Sequence, residues 1–427
     1  MTYDLVIIGA GWAGFNAALT AKQSGLKVAI IENSQIGGTC LNRGCIPTKA
    51  LIQSLKVYSL VKKSKTFGIE ATNPTVNFSQ IQSRKEKIIQ QLSAGMQFML
   101  KGVEFINAEA RLLSLNSVKA GARELNAKAI LIAAGSRPAQ LKEIKFDGKK
   151  IISSDEILKL ENLPQSLLII GGGVSGCEFA SLFSGLGVSV TLIEKMPQLL
   201  PGADKDIARK LELIFKKKGI KVNTNADAGA RDFNDYDLVL LCVGRSPNTE
   251  NLGLEAAGVV TQKGKVIIDA YLRTNIPNIY AAGDCTGKIM LAHYAAYQGI
   301  IAAGNIADPN NPKKCDNQTV PSCIFTEPQA ASVGINEDEA KVRGIEVKID
   351  TFDFLASGMA RILDEADGFI KFVSDAKSGL VLGCAIIGPS AAELIGIAGL
   401  AISNKLSLSQ VRATIFAHPT LSECFHG

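Results

Sequence analysis

No stretch of the 427-residue chain approaches the roughly 20 apolar residues needed to cross a bilayer. There is no low-complexity segment, and the one short run of like charge is Lys216-Lys217-Lys218, which reads as the solvated end of a helix. The 46 basic and 40 acidic residues are interspersed, and a formal charge of +6 is too mild and too scattered to suggest a nucleic-acid partner. Histidine is scarce, and no further Cys or His stands near the closest cysteine pair, so no metal site is expected. The N-terminus opens on a strand pattern rather than a signal peptide, and a cytoplasmic location is the expectation.

What is present is ordinary for a globular protein: 47% hydrophobic and 20% charged residues. The length exceeds what one hydrophobic core serves, so two or three domains are expected. Nine cysteines are spread along the chain, seven of them singly in apolar or helical contexts where Cys acts as a small hydrophobe. Only Cys40 and Cys45 are close together. In a reducing compartment such a pair points to redox catalysis or metal binding rather than to a structural staple.

Residues 3–9 read as a buried parallel strand, 13–25 as a helix ending at Gly25, and 28–32 as a second strand. The same order returns at 167–194. Each unit carries Gly-x-Gly-x-x-Gly at the strand-to-helix turn, Gly9, Gly11 and Gly14 in the first and Gly171, Gly173 and Gly176 in the second. Each also ends its second strand on an acid, Glu32 or Glu194. The first glycine serves the tight turn, the second lets backbone approach a pyrophosphate, and the third lets helix pack on sheet. The helix N-terminus then holds the anion and the acid accepts from ribose hydroxyls. Two such units imply two nucleotide sites, and Glu194 favours NAD over NADP because a carboxylate repels a 2′-phosphate. Between the units, 79–101 form an amphipathic helix and Ala129 to Ala134 a buried strand. From about Pro321 strands of alternating polarity at 369–373 and 381–387, then a helix at 391–404, indicate a third, α+β domain.

The cysteines lie in Gly38-Thr39-Cys40-Leu41-Asn42-Arg43-Gly44-Cys45-Ile46-Pro47. Residues five apart on an ideal helix have Cα atoms about 8–9 Å apart, beyond the roughly 7 Å a disulfide allows, so a bridge needs a break that Gly44 can supply. Pro47 suits a first helical turn. Cys45 would then sit at a helix N-terminus, where the dipole favours a thiolate, with Lys49 one turn along the same face.

This segment, continued by Thr48-Lys49-Ala50-Leu51, resembles the active site of class I pyridine nucleotide–disulfide oxidoreductases, and its details look most like the dihydrolipoamide dehydrogenases. Ala133-Ala134-Gly135-Ser136-Arg137-Pro138 and Gly244-Arg245-Ser246-Pro247-Asn248 resemble the family's two interdomain junctions. Thr274 to Asp284 resembles its second flavin motif, continued by Met290-Leu291-Ala292-His293. His418-Pro419-Thr420-Leu421-Ser422-Glu423 is similar to its catalytic-base segment.

The resemblance implies an α/β fold of two Rossmann-like domains, for FAD and NAD, plus a C-terminal α+β dimerisation domain. Expected boundaries are 1–142 with 272–315 for FAD, 143–271 for NAD and 316–427 for the interface. It implies catalytic roles for Cys40, Cys45, Lys49, Glu178, His418 and Glu423, the Cys40–Cys45 disulfide being the redox centre and His418 coming from the partner of a homodimer. FAD contacts are expected at Gly9, Gly11, Gly14, Glu32, Gly38, Thr39, Lys49, Ala110, Gly135, Asp284 and Ala292, and NAD contacts at Gly171, Gly173, Gly176, Glu194 and Gly244. The implied reaction is oxidation of dihydrolipoamide, or of a lipoyl group on another chain, with hydride passed to NAD+. Such a chain would serve a 2-oxo acid dehydrogenase or glycine cleavage complex. The alternatives are an NAD(P)H-dependent reductase of another small or protein disulfide, and a docked flavoprotein with little turnover of its own. Phe416 stands where many members have a second His, Arg43 where a small apolar residue is commoner, and 223–236 is short for the family.

Overall fold

The computed structural model describes residues 2–229 and 232–427. Three sheets organise it.

The first sheet grows from β1 (Thr2–Ile8), α1 (Trp12–Gln23) and β2 (Val28–Glu32), the βαβ unit expected from the first fingerprint. Its order is β3-β2-β1-β6-β5-β4, with β3 at Glu104–Asn107, β4 at Ala110–Leu112, β5 at Ser117–Ala120 and β6 at Arg123–Ile132. The strands β3, β2, β1 and β6 run parallel. Strand Ile279–Ala281 returns far along the chain to pair in parallel with β6. Strand β6 begins six residues before the apolar run at 129–134 and ends at Ile132. Its first half alternates exposed and buried residues because one face is solvated, so only its fully buried half shows as a hydrophobic run.

Helices α2 (Gly38–Arg43), α3 (Cys45–Lys62) and α4 (Phe78–Met99) follow β2 in the chain. The second sheet is wholly parallel, in the order 221–223, 189–193, 166–170, 238–241, 151–152. Around it lie the short helix α5 (Ser154–Ile157), α6 (Val174–Gly185) after the second fingerprint, and α7 (Lys205–Lys217). An antiparallel pair, Ser136–Pro138 with Arg245–Pro247, joins the two nucleotide units. The segment 223–236 contains residues 230 and 231, which lie outside the described residues; its ends are the strand Lys221–Asn223 and the turn Phe233–Asp235.

Helix α8 (Ala292–Ala307) packs on α1 so closely that a Cβ on Gly299 would meet the Ala13 carbonyl at 2.1 Å. Beyond it comes the third sheet, antiparallel, ordered 322–324, 329–334, 381–388, 369–375, 347–353 and covered by helix Ala391–Ser403. Lys371 of this sheet is 2% exposed and reaches Asp204 and Asp206 at the start of α7, both at 2.6 Å. Burial works to lower the pKa of that ammonium, but the two carboxylates outweigh it and hold the value above 10.5. The ion cluster fixes the third sheet against the second nucleotide unit. Among the described residues, no helix is long and apolar enough to cross a membrane.

Candidate active site

Both glycine turns have the same steric logic. A Cβ on Gly9 would lie 2.3 Å from the Ala133 carbonyl oxygen, and one on Gly14 would lie 1.9 Å from the Gly9 oxygen. In the second turn Gly171 meets the Cys242 oxygen at 2.3 Å and Gly176 the Gly171 oxygen at 1.9 Å. Packing thus explains the outer glycines. The middle ones differ: Gly173 has nothing within 4 Å of its missing Cβ, and Gly11 has only the Gly38 Cα at 3.9 Å. The protein leaves the space before each middle glycine open, which is what the close approach of a pyrophosphate to a helix N-terminus requires.

The acids close both turns. Glu32 accepts from the Ala10 N–H at 2.8 Å and the Ser34 N–H at 2.9 Å. Glu194, 7% exposed, accepts from the Gly172 and Met196 N–H groups, both at 2.7 Å, while Lys195 points outward toward Asp227. Each carboxylate is locked beside its glycine turn, so both cradles suit a dinucleotide.

Cys40 lies in α2 and Cys45 begins α3, with the chain breaking at Gly44 (φ −146°, ψ −109°) between them. Both are free thiols in this structure. Their thiols interact. The Cys45 pKa is lowered from 9.0 to about 7, first by the hydrogen bond from Cys40 and then by Lys49, against opposing burial and Glu178. Cys40, the donor, is pushed up by that bond and by burial. All seven other cysteines are raised, chiefly by burial, so Cys45 is the single activated sulfur of the chain.

Behind it, Lys49 reaches both oxygens of Glu178, at 2.9 and 2.8 Å. Glu178 belongs to α6 and is 4% exposed, and it accepts a further bond from the Phe325 N–H at 2.9 Å. The Phe325 ring lies 4.6 Å from the Lys49 ammonium. A helix from the first nucleotide unit, one from the second and a strand end of the third sheet therefore meet at one ion pair. Phe325 had no signal in the sequence, since its backbone N–H does the work.

On the other side of the pair, Asp284 accepts from the Ser136 hydroxyl at 2.5 Å, and Ser136 accepts from the Arg245 Nε at 2.7 Å. Arg245 also donates to the Ser136 carbonyl at 2.8 Å and to the Thr39 hydroxyl at 3.4 Å, and burial lowers its pKa. The two junction segments thereby hold Asp284 and Thr39 in one network, a role for Arg245 and Ser136 not expected from their place in the motifs. Gly135, Gly244 and Ala292 stand at the edges of these segments, Gly135 and Gly244 with positive φ (72° and 107°) and Ala292 opening α8. Ala110 begins β4 of the same sheet.

His418 is not drawn into this cluster. Its side chain is 81% exposed and its Nδ1 meets the Glu423 carboxylate at 2.8 Å. Glu423 is held below 4.5, first by the Thr420 N–H and then by His418. The imidazole is thus held by Glu423 and faces outward. His293 bonds the Pro321 carbonyl and His426 the Arg412 carbonyl, both local contacts.

Comparison with known proteins agrees with the geometry. Residues 3–299 match the family model described as pyridine nucleotide-disulphide oxidoreductase, and 320–427 match that family's dimerisation domain. The chain is 39% identical to a Bacillus subtilis (strain 168) protein named dihydrolipoyl dehydrogenase, over 99% of this chain and 96% of that one. It is 41% identical to a Chlamydia pneumoniae protein of the same name, over 99% and 95%. Among solved structures it resembles LpdA from Mycobacterium tuberculosis, with TM-score 0.91, 28% identity and coverage of 98% and 97%. It also resembles RclA from Escherichia coli, titled an HOCl-induced flavoprotein disulfide reductase, with TM-score 0.89, 28% identity and coverage of 99% and 98%.

Proposed function

The chain belongs to the pyridine nucleotide-disulphide oxidoreductases, and from that premise we propose that it is a dihydrolipoyl dehydrogenase, oxidising dihydrolipoamide and passing hydride to NAD+. One observation carries the reading: the only activated thiol heads α3, and the next turn of α3 spans to the fingerprint helix of the second nucleotide unit through Lys49 and Glu178. A sulfur placed there serves both cradles at once. The first cradle, with Asp284, Thr39 and Lys49 around it, suits FAD, and the second, with Glu194, suits NAD. FAD supplies the two-electron exchange between the thiol pair and the nicotinamide.

The protein's own residues handle sulfur and protons. A substrate thiolate attacks Cys40 of the oxidised pair, a substrate–Cys40 disulfide forms, and Cys45 leaves as a thiolate stabilised by Lys49 and the N-terminus of α3. The second substrate thiolate then attacks the substrate sulfur of that mixed disulfide, closing the product ring and releasing Cys40. His418 of the partner subunit would take the thiol protons, held in place by Glu423. The 320–427 unit is the dimerisation domain that would bring it there. We take residues 1–142 and 272–315 as the FAD-binding domain, 143–271 as the NAD-binding domain and 316–427 as the interface domain; the return of strand 279–281 to the first sheet supports the discontinuity. We take it to act as a cytoplasmic homodimer on lipoyl groups carried by a separate chain, a reading that the match to the dimerisation domain supports as to the dimer.

The test is anaerobic reduction of the purified yellow protein by dihydrolipoamide, followed by NADH formation on adding NAD+. Turnover of NADPH with glutathione disulfide, but none of dihydrolipoamide, would overturn the assignment in favour of a different disulfide reductase. Cys45→Ser should retain FAD and lose NADH formation.

A further inference from the structure

Away from the thiol pair, Lys85 lies in the first half of α4 and is only 3% exposed. Lysine is almost never buried without a partner. Its Nζ donates to the Leu158 carbonyl at 2.6 Å and pairs with Glu86 at 2.8 Å, while Gln82, one turn earlier on the same face, donates its Nε2 to the Leu160 carbonyl at 2.7 Å. Among the described residues neither carbonyl accepts from a backbone N–H, so side chains of α4 satisfy both. Residues 158–160 follow α5 and the strand 151–152 of the second sheet. The same segment is held from α2, where Arg43, at a position more often small and apolar, pairs with Asp155 at 3.7 Å. That pair is partly exposed and weak, so the buried Lys85 is the anchor. Arg84, beside it, donates to the Ala50 carbonyl of α3 at 3.1 Å, one residue beyond Lys49. Helix α4 thus grips both the helix of the active-site lysine and the second nucleotide unit.

Leu51 and Leu55 of α3 and Ile81 of α4 share one apolar cluster with Ile157, Leu158 and Leu160. Apolar contact is non-directional and lets packed faces slide, whereas donors aimed at single carbonyls fix register. The Lys49–Glu178 pair and the junction strands join the two units close to the thiols, and attachments gathered in one place leave tilt about it. The α4 clamp engages other segments of both units and limits that tilt. We propose that Lys85 is a positioning residue for hydride transfer, its bond to Leu158 setting the tilt of the second nucleotide unit against the first. The inference rests on the two-nucleotide reading of the site and deepens it. The step served moves a hydride, one proton with two electrons, from the reduced flavin anion to NAD+, leaving oxidised flavin and NADH. Such a transfer needs reacting atoms about 3–3.5 Å apart, and a misplacement of about 1 Å caused far from the chemistry costs up to about a hundredfold.

Lys85→Met keeps most of the side-chain length and removes the donor and the charge. Holoenzyme mixed anaerobically with saturating NADH in stopped flow should show flavin reduction about tenfold slower in the variant, while reduction of the Cys40–Cys45 disulfide by dithiothreitol stays within about twofold of wild type. Equal NADH rates in the two proteins would overturn the proposal, and so would equal slowing with both reductants, the mark of general loosening. Hydrogen–deuterium exchange of the oxidised holoenzyme gives a reading independent of turnover: amides of residues 153–162 should exchange about fivefold faster or more in Lys85→Met, with those of β1 unchanged. Wild-type exchange at 153–162 would likewise overturn the clamp. If Lys85→Met fails to fold, Gln82→Met, which loses only the neutral bond to Leu160, should show the same split at smaller amplitude, and wild-type behaviour there would refute the proposal. Neither reductant is a lipoyl substrate. A wild-type protein that NADH does not reduce fails the nucleotide assignment, whereas a reactive wild type beside an equally fast variant fails only the clamp.

Discussion

Replacing Lys49 by Met keeps the length of the side chain and removes the charge that links Cys45 to Glu178. In α3 residues four apart lie about 6 Å from each other, and two unit charges at that separation interact by about 2.8 kcal/mol at an effective dielectric of 20, equivalent to about two pKa units. The Lys49 side chain is 30% exposed, so solvent screening reduces this to about one unit. The Cys45 thiol, held at about 7, should therefore titrate near 8 in the variant. Stability should fall as well, because Glu178 keeps only the Phe325 N–H for its charge. Breaking a buried pair costs about 3–5 kcal/mol, and the partial exposure of Lys49 brings the expectation to about 2–3 kcal/mol. Adding Glu178→Gln should recover part of that stability and shift the thiol slightly back down, since Glu178 opposes the thiolate. The sign of the pH effect follows. A thiol lowered from 9.0 to about 7 lends stability that is fully present above 9.0 and is lost as pH falls through 7. The reduced wild-type protein should thus gain stability from Cys45 between these values, and Lys49→Met about half as much. Iodoacetamide labelling of Cys45 across pH and urea unfolding measure the two quantities. A labelling midpoint for Lys49→Met that coincides with wild type would refute the electrostatic role of Lys49.

Glu423→Gln should lower kcat/KM for dihydrolipoamide by about tenfold or more, because an oriented general base contributes 10²–10⁴-fold and the amide holds His418 less firmly; unchanged steady-state kinetics would remove Glu423 from the site. Gly173→Ala and Gly176→Ala should separate ligand approach from packing. The first has open space and should raise the KM for NAD+ with little change in Tm, whereas the second clashes with the Gly171 carbonyl at 1.9 Å and should cost about 1–3 kcal/mol in thermal unfolding. The reverse pattern would contradict the assignment of the middle glycine to the nucleotide. Lys371→Met leaves Asp204 buried without its cation and should cost about 3–5 kcal/mol in urea unfolding, and Asp204→Asn in the same chain should recover part of it.

Much of the architecture is legible in local pattern. Both βαβ units, their glycine turns and their terminal acids are encoded within about thirty consecutive residues each, and sterics within each turn require Gly14 and Gly176, whereas a Cβ on Gly9 or Gly171 would meet the distant Ala133 or Cys242 carbonyl. The pairing of Lys49 with Glu178, 129 residues apart, is one that no local periodicity could connect. The polar half of β6 escaped notice because alternation on a half-solvated strand is a weaker signal than a buried run.

The amino-acid order by itself determined where the two nucleotide turns stand, that Cys40 and Cys45 are the chain's close cysteine pair, and that Gly44 breaks the helix between them. Local sequence pointed to Cys45 as the favoured thiolate, and tertiary structure decided the state of the seven cysteines outside the pair, which burial raises. It also decided that the Phe325 backbone completes the Glu178 site and that Arg245 and Ser136 hold Asp284. Turns and helix ends are written in adjacent residues because sterics act over a few bonds. Electrostatic state is written in whatever the folded chain brings within a few ångströms, however far apart those residues lie in sequence.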